Sequence, residues 1–148
     1  FPTRRSSDLQ SLPMLDAKDL VRSIEGCRIL ISNDYELDLI MSKTGLDRRA
    51  LLEKAGAVIT TLGELGSQVC TKDGEVRIPI GRTRQVLDPT GAGDSYRGGL
   101  ISGLVKGLDI GQCAKMGSVC ASFAVECYGT QAYTFSLAEF EERFVSFG

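Results

Sequence analysis

The chain has 148 residues, of which 43% are hydrophobic and 24% are charged, and its formal net charge is -2. This length and composition are typical of a globular domain with its own hydrophobic core. The near-neutral charge disfavours nucleic acid as a partner, and the apolar runs are too short to cross a membrane. No charged start followed by an apolar stretch resembles a signal peptide, so we expect a soluble, cytoplasmic protein.

The residue types present narrow the chemistry further. The chain has five cysteines without CxxC spacing. It has no histidine, which removes the commonest metal ligand and the commonest general base. Any catalysis must therefore use another group as the base. Cys113, Cys120 and Cys127 recur every seven residues, as expected for the buried face of a helix.

The first nine residues stand apart from the rest. Residues 1–9 read FPTRRSSDL, which looks like the translated read-through of a common sequencing adapter. We interpret them as a scar that carries no fold information and residues 10–148 as the natural sequence.

Taken in chain order, the first half alternates predicted helices with strands. Asp16, Asn33 and Asp47 are suited to begin helices, because their side chains can accept hydrogen bonds from unpaired N–H groups. Strands are predicted at Cys27–Ile31 and Ala57–Thr61. The second strand runs into a glycine-containing turn at Leu62–Gly66.

The second half begins with a predicted hairpin and ends in helices. An Asp-Gly turn at Lys72–Gly74 separates two alternating runs, which is a strong hairpin signal. The remaining predicted elements are a short strand at Gln85–Leu87 and helices at Ala92–Lys106, Ile110–Tyr128 and Ser136–Val145. Strands that alternate with helices predict an α/β fold with a mostly parallel sheet and helices on its faces.

The segment LDPTGAGDSYRGGL, residues 87–100, carries the clearest chemical signal. Gly91, Ala92 and Gly93 leave their backbone N–H groups accessible at the start of a helix, where the helix dipole favours an anion such as phosphate. Asp94 would repel that phosphate unless the site needs a base. A carboxylate there can accept the proton of an attacking hydroxyl while the N–H groups stabilise the transferring phosphoryl group.

This segment resembles the D-T-x-G-A-G-D signature of the PfkB family of kinases, which have a ribokinase-like fold. The resemblance implies that Asp94 is the catalytic base and that Gly91, Ala92 and Gly93 form the anion hole. It also implies that Asp88 and Thr90 bind a monovalent cation such as K⁺. Pro89 replaces the threonine of many members and is similar to the adenosine-kinase-like branch.

Two upstream motifs occur in the order that the family has. NDYE resembles the N-x-x-E motif, which implies that Asn33 lies near the triphosphate and that Glu36 organises Mg²⁺ through water. TLGELG resembles the nucleotide loop, which implies nucleotide contacts from Thr61, Gly63 and Gly66. Ser118 falls where related kinases often place an asparagine beside the adenine.

The resemblance covers nearly everything after Gln10 and implies the carboxyl-terminal portion of a three-layer α/β/α sandwich. The implied activity is ATP- and Mg²⁺-dependent phosphoryl transfer to a nucleoside or sugar, with adenosine as the first expectation and ribose or fructose as alternatives. A homodimer of the full-length protein is a further expectation. Because the amino-terminal portion of the family supplies most acceptor contacts, a truncated, non-catalytic nucleotide-binding fragment is the rival reading.

Purely structural readings compete with these roles. The glycine turn could be a tight strand-to-helix connection, and Asn33 with Glu36 could form a capping box. Arg97 lies three residues after Asp94, where a solvated salt bridge is the common outcome. A Walker-type NTPase is excluded because no Gly-Lys pair occurs, and a dinucleotide fold is disfavoured because the glycines come late in the chain.

Overall fold

The computed structural model describes residues 14–147, so the predictions for residues 1–9 and for the natural start near Gln10 lie outside the described residues. The chain divides into two compact units. The first extends to Gly63 and includes Gln68–Val76, and the second comprises Glu64–Ser67 and Arg77 onward. Within the described part, no helix is long and apolar enough to span a bilayer.

The first unit is built on helices whose starts follow the predicted caps. Its helices are α1 (Ala17–Ile24), α2 (Asp34–Thr44) and α3 (Arg48–Lys54). The side chains of Asp16, Asn33 and Asp47 each accept a hydrogen bond from the backbone N–H three residues later, which confirms all three predicted helix starts. Gly45 closes α2 in the left-handed conformation with φ of 68°.

Four strands form a mixed sheet in the order β1-β2-β3-β4. Their bounds are β1 (Leu30–Asn33), β2 (Val58–Thr61), β3 (Ser67–Thr71) and β4 (Gly74–Ile78). The first two strands are parallel and in register from the pair Leu30–Val58 to the pair Asn33–Thr61. The predicted hairpin is confirmed as β3 and β4, so the sheet is mixed rather than uniformly parallel.

The core of the first unit lies between β1 and β2 and the helices. Leu20 and Ile24 on α1, Leu37 and Ile40 on α2, and Leu51 on α3 are fully buried together with Leu30 and Val58. On α1 and α2 the buried pairs are spaced four and three residues apart and so lie on one face of each helix, which is why these short helices with polar outer faces are stable here. Their packing holds the carboxyl ends of β1 and β2 in place.

The second unit contains three helices, α4 (Ala92–Val105), α5 (Ile110–Ala124) and α6 (Leu137–Val145). Helices α4 and α5 approach closely through glycines. A Cβ on Gly99 would lie 2.5 Å from the Met116 carbonyl oxygen, and a Cβ on Gly117 would lie 2.7 Å from the Tyr96 carbonyl oxygen. Gly99 therefore packs against the backbone of α5, whereas Gly98 is exposed and a Cβ added there would meet no described atom outside its own helix within 4 Å.

Two predicted elements of this unit are wrong, for one shared reason. Gln85–Leu87 is not a strand, and α5 ends at Ala124 instead of Tyr128. The Val125 carbonyl accepts the N–H groups of Leu87, at 2.7 Å, and Asp88, at 3.2 Å, so this backbone bonds to the end of a helix rather than to a strand. In the first unit, β1 begins at Leu30 and not at Cys27, which remains a buried core residue before the strand.

Candidate active site

The turn before α4 is held in a conformation that requires glycine. Gly91 has φ of 83° and occupies the cap position of α4 without any side-chain cap. A Cβ at this position would also lie 3.0 Å from the Cα of Thr130 and 3.1 Å from its carbonyl oxygen. Both the left-handed backbone and the close neighbour therefore exclude a larger residue.

Within this turn, three backbone N–H groups make no hydrogen bond to any described residue. Pro89 has no N–H, Thr90 donates to Asp88 Oδ1 at 2.9 Å, and Ala92 donates to the Pro89 carbonyl at 3.2 Å. The unbonded N–H groups belong to Gly91, Gly93 and Asp94. They lie at the positive end of the α4 dipole, so the turn offers an anion three donors, with Asp94 rather than Ala92 supplying the third.

The Asp94 carboxylate lies in the first turn of α4 and is 68% exposed. Its Oδ1 accepts a hydrogen bond from Arg97 Nη1 at 3.0 Å, which is the solvated salt bridge expected from the sequence. An exposed pair at this spacing contributes less than about 1 kcal/mol and restrains the carboxylate weakly. The carboxylate is therefore accessible to an incoming hydroxyl, as a general base must be.

Asp88 ties the turn to a distant loop. Its Oδ1 accepts the Thr90 N–H and its Oδ2 accepts the Gly129 N–H, each at 2.9 Å. The Thr90 hydroxyl, followed by the N–H groups of Gly129 and Thr90, lowers the pKa of Asp88 from its ordinary value of 3.8. A monovalent cation here would share oxygens that already accept hydrogen bonds, and the described residues contain no cluster of three or more acidic or cysteine ligands.

The NDYE motif forms a complete capping box at the start of α2. Asn33 Oδ1 accepts the Glu36 N–H at 2.7 Å, and Glu36 Oε2 accepts the Asn33 N–H at 2.9 Å. This confirms the structural reading of the motif. No residue between Met14 and Phe147 donates to the second carboxylate oxygen, Glu36 Oε1, and this half-buried side chain would suit a contact to Mg²⁺ through water.

Asn33 and Thr61 are register partners at the carboxyl ends of β1 and β2. In parallel sheets, ligands bind beyond this edge of the strands. Beyond Thr61 the chain turns through Gly63, with φ of 56°, to Gly66, with φ of 84°. A Cβ on Gly66 would lie 2.1 Å from the Ile78 carbonyl oxygen, so only glycine fits there.

Ser118 is a buried residue of α5 that uses its hydroxyl within the protein. It donates to the Pro79 carbonyl at 2.7 Å and accepts the Gly81 N–H at 2.9 Å. The side chain therefore fixes the segment that follows β4. Its nucleobase contact stays a prediction, and the hydroxyl proton is already used.

Most of the predicted site residues lie in two groups, and Gly66 and Ser118 lie outside both. Asn33, Glu36, Thr61 and Gly63 lie near the ends of β1 and β2 in the first unit, and Asp88, Thr90 and Gly91–Asp94 form one turn of the second unit. Sequence reasoning gave no contact role to Gly129 or Tyr133. Their partners are 41 and 38 residues away, so no local pattern could identify them.

Residues 4–135 match the family described as pfkB family carbohydrate kinase, and the chain belongs to this family. The nucleoside kinase of Methanocaldococcus jannaschii is 39% identical over 122 residues, which cover 82% of this chain and 40% of that protein. The nucleoside kinase of Methanothermobacter thermautotrophicus is 38% identical over 138 residues, covering 93% of this chain and 44% of that protein.

Solved structures agree with the fold prediction. The M. jannaschii enzyme, described as an archaeal member of the ribokinase family, matches with a TM-score of 0.88 at 36% identity over 93% of this chain and 46% of that chain. The Burkholderia thailandensis nucleoside kinase in complex with ADP-inosine matches with a TM-score of 0.90 at 36% identity, over 93% and 43% of the two chains. The fold is therefore ribokinase-like, and this chain spans less than half the length of these relatives.

Proposed function

We propose that this chain carries the nucleotide-binding and catalytic part of an ATP-dependent nucleoside kinase. The observation that carries the proposal is the turn at Gly91–Asp94, where unbonded N–H groups stand beside an exposed carboxylate. In the proposed reaction, the acceptor hydroxyl attacks the γ-phosphorus of ATP and its proton passes to Asp94. A new oxygen–phosphorus bond forms, the bond to the β,γ-bridging oxygen breaks, and ADP leaves.

The turn contributes charge stabilisation in this proposal. The N–H groups of Gly91 and Gly93 would donate to the oxygens of the transferring phosphoryl group, which gain their strongest interaction in the transition state. Ala92 keeps the turn compact through its bond to Pro89. Glu36 would hold Mg²⁺ through water, and the metal ion would supply positive charge against the phosphates. Asp88 and Thr90 would hold K⁺.

The remaining predicted residues are proposed as nucleotide contacts. Among the described residues, the side-chain NH₂ of Asn33 has no hydrogen-bond partner. Thr61 ends β2, and Gly63 and Gly66 follow it with no side-chain bulk. Ser118 would contribute packing near the base. The names of the two archaeal nucleoside kinases support a nucleoside as the acceptor. Inosine is a candidate because it is bound in the B. thailandensis structure, and adenosine is a candidate because of the resemblance to the adenosine-kinase-like branch.

A second candidate follows from length. Because the chain covers 40% to 46% of the cited relatives, it could bind nucleotide without turning over an acceptor. Joining this chain to the amino-terminal part of the M. jannaschii nucleoside kinase, which has no counterpart here, gives an extended chain that tests the two candidates.

ADP formation is measured for the 148-residue chain and for the extended chain with adenosine, inosine, ribose or fructose. We expect turnover by the extended chain with a nucleoside and none by the shorter one. A preference for ribose or fructose would overturn the acceptor assignment. Nucleotide binding without turnover in both chains would favour the non-catalytic alternative.

A further inference from the structure

The segment Gly129–Phe135, here named the strap, crosses the turn that precedes α4. At one end, the Gly129 N–H donates to Asp88 Oδ2 at 2.9 Å. The backbone of the next residue, Thr130, packs closely against Gly91. A Cβ added to Gly91 would lie 3.0 Å from the Cα of Thr130. The strap therefore contacts the turn through backbone atoms on two consecutive residues.

A third contact joins the strap to the first turn of α4. Tyr133 Oη lies 2.7 Å from Ser95 Oγ, and Ser95 Oγ lies 2.9 Å from the Gly91 carbonyl oxygen. A serine hydroxyl has one proton, and the Gly91 carbonyl can only accept a hydrogen bond. Ser95 Oγ therefore donates to that carbonyl, and the Tyr133 hydroxyl donates to Ser95 Oγ. The result is a chain of hydrogen bonds from the phenol through Ser95 to Gly91, in which each bond polarises the next.

The hydrogen bonds from Tyr133 and Ser95 end at the Gly91 carbonyl, which is part of the turn. It also accepts the Ser95 N–H at 3.0 Å, so two donors fix its direction. The carbonyl shares a rigid peptide plane with the Ala92 N–H, which donates to the Pro89 carbonyl at 3.2 Å. The N–H groups of Gly93 and Asp94 belong to the next two peptide planes of the same turn, so fixing the Gly91–Ala92 plane restricts the directions that they can take.

Tyr133 is held from the other side by aromatic packing. Its ring stacks near Phe135, with 6.2 Å between centroids, and Phe135 stacks on Phe123 of α5 at 4.4 Å. Phe135 also lies 6.0 Å from Phe140 of α6. The phenol is thus positioned by α5 and α6, independently of the turn to which it bonds.

We propose that Tyr133 is a positioning residue for phosphoryl transfer, acting through Ser95 and the Gly91 carbonyl to orient the N–H groups of the turn. This inference rests on the proposed function, because the turn has to receive the phosphoryl group for its orientation to affect the rate. Tyr133 does not contact the reacting atoms in this proposal. Its hydroxyl reduces the freedom of the donors before the transition state forms.

The test compares Tyr133→Phe with Tyr128→Phe, since each removes one phenol hydroxyl. Tyr128 is 72% exposed and lies just before the strap, which makes it a matched control. Amide hydrogen exchange of Ser95 is measured in the 148-residue chain, and kcat and KM are measured in the extended chain. For Tyr133→Phe we expect Ser95 exchange to quicken about tenfold and kcat to fall about tenfold, with both KM values within about twofold.

A double-mutant comparison isolates the hydroxyl chain. If Tyr133 acts through Ser95, combining Tyr133→Phe with Ser95→Ala lowers kcat little further than Ser95→Ala alone. Unchanged Ser95 exchange in Tyr133→Phe would overturn the structural link, and faster exchange with unchanged kcat would overturn the positioning role. Failure of the proposed function is separate, because it would appear as undiminished turnover after replacement of Asp94 while the exchange results stand.

Discussion

The contact between α4 and α5 allows one prediction to be worked out from neighbouring glycines. Gly98 and Gly99 are adjacent in α4, yet a Cβ on Gly98 would meet no described atom outside its own helix within 4 Å, whereas Gly99 faces the backbone of α5. Replacing each by alanine adds the same methyl group to the same helix. The two variants therefore differ mainly in what the methyl group meets.

For Gly99→Ala, the new Cβ would be 2.5 Å from the Met116 carbonyl oxygen and 2.8 Å from the Gly117 Cα. Ordinary contact begins at 3.4 Å, so the helices must separate by most of an ångström, and backbone atoms cannot rotate away. Overpacking of this kind costs about 1–3 kcal/mol, while the better helix propensity of alanine returns about 1 kcal/mol. Two further close contacts between α4 and α5, at Gly103 and Gly117, would be lost if the helices separated. We therefore expect the free energy of unfolding to fall by about 2 kcal/mol.

For Gly98→Ala, only the propensity gain applies, so we expect about 1 kcal/mol of stabilisation. Urea unfolding followed by circular dichroism measures both variants against the unchanged chain. We expect the free energy of unfolding of Gly98→Ala to be higher than that of the parent chain and that of Gly99→Ala to be lower, with about 3 kcal/mol between the two variants. Equal stability of the two variants would refute the close approach of α4 and α5.

Two more stability predictions follow from buried polar contacts. Ser118→Ala leaves the Gly81 N–H without its acceptor and should lower the free energy of unfolding by about 1–3 kcal/mol in the same urea assay, while an unchanged value would contradict the tie to residues 79–81. Arg143→Met removes the guanidinium that bonds to Glu126 and stacks on Phe123, and we expect a loss of about 3 kcal/mol at neutral pH. Burial alone would raise the pKa of Glu126, but the Arg84 N–H, Arg143 and Thr83 hold it below its ordinary value of 4.5. The stabilisation that Glu126 contributes is therefore present above pH 4.5 and is lost as the pH falls through the lowered pKa of the folded protein. The free energy of unfolding of Arg143→Met should consequently fall less in acid than that of the parent chain. An identical dependence on acid in the two proteins would contradict this assignment.

Helix starts were the most predictable part of the fold because they depend on chemistry within four residues. Asp16, Asn33 and Asp47 each cap the helix that the sequence predicted. The start of α4 was equally clear, since Gly91 marks the turn before the helix and Asp94 is an acidic residue of the kind favoured in a first helical turn. Each of these signals is complete before the chain makes any distant contact.

Strand assignments were less predictable because a strand requires a partner elsewhere. Gln85–Leu87 has strand-like residues, but the Val125 carbonyl accepts the N–H groups at its end and over-rides that preference. In the candidate site, the unbonded N–H groups could be expected from sequence, whereas the bond of Ala92 to Pro89 and the strap contacts of Gly129 and Tyr133 could not. The strap contacts join residues about forty positions apart, and the bond of Ala92 to Pro89 depends on the exact backbone geometry of the turn.

In the proposed function, Asp94 accepts a proton during phosphoryl transfer while the neighbouring N–H groups hold the phosphoryl oxygens. Replacing Asp94 by asparagine in the extended chain tests this role, with kcat and the KM for ATP as the measured quantities and Asp73→Asn on the exposed β3–β4 turn as the control. We expect kcat of Asp94→Asn to fall by about 10²–10⁴ with little change in KM, and the control to leave both unchanged. Turnover at the parent rate with asparagine at position 94 would contradict this role.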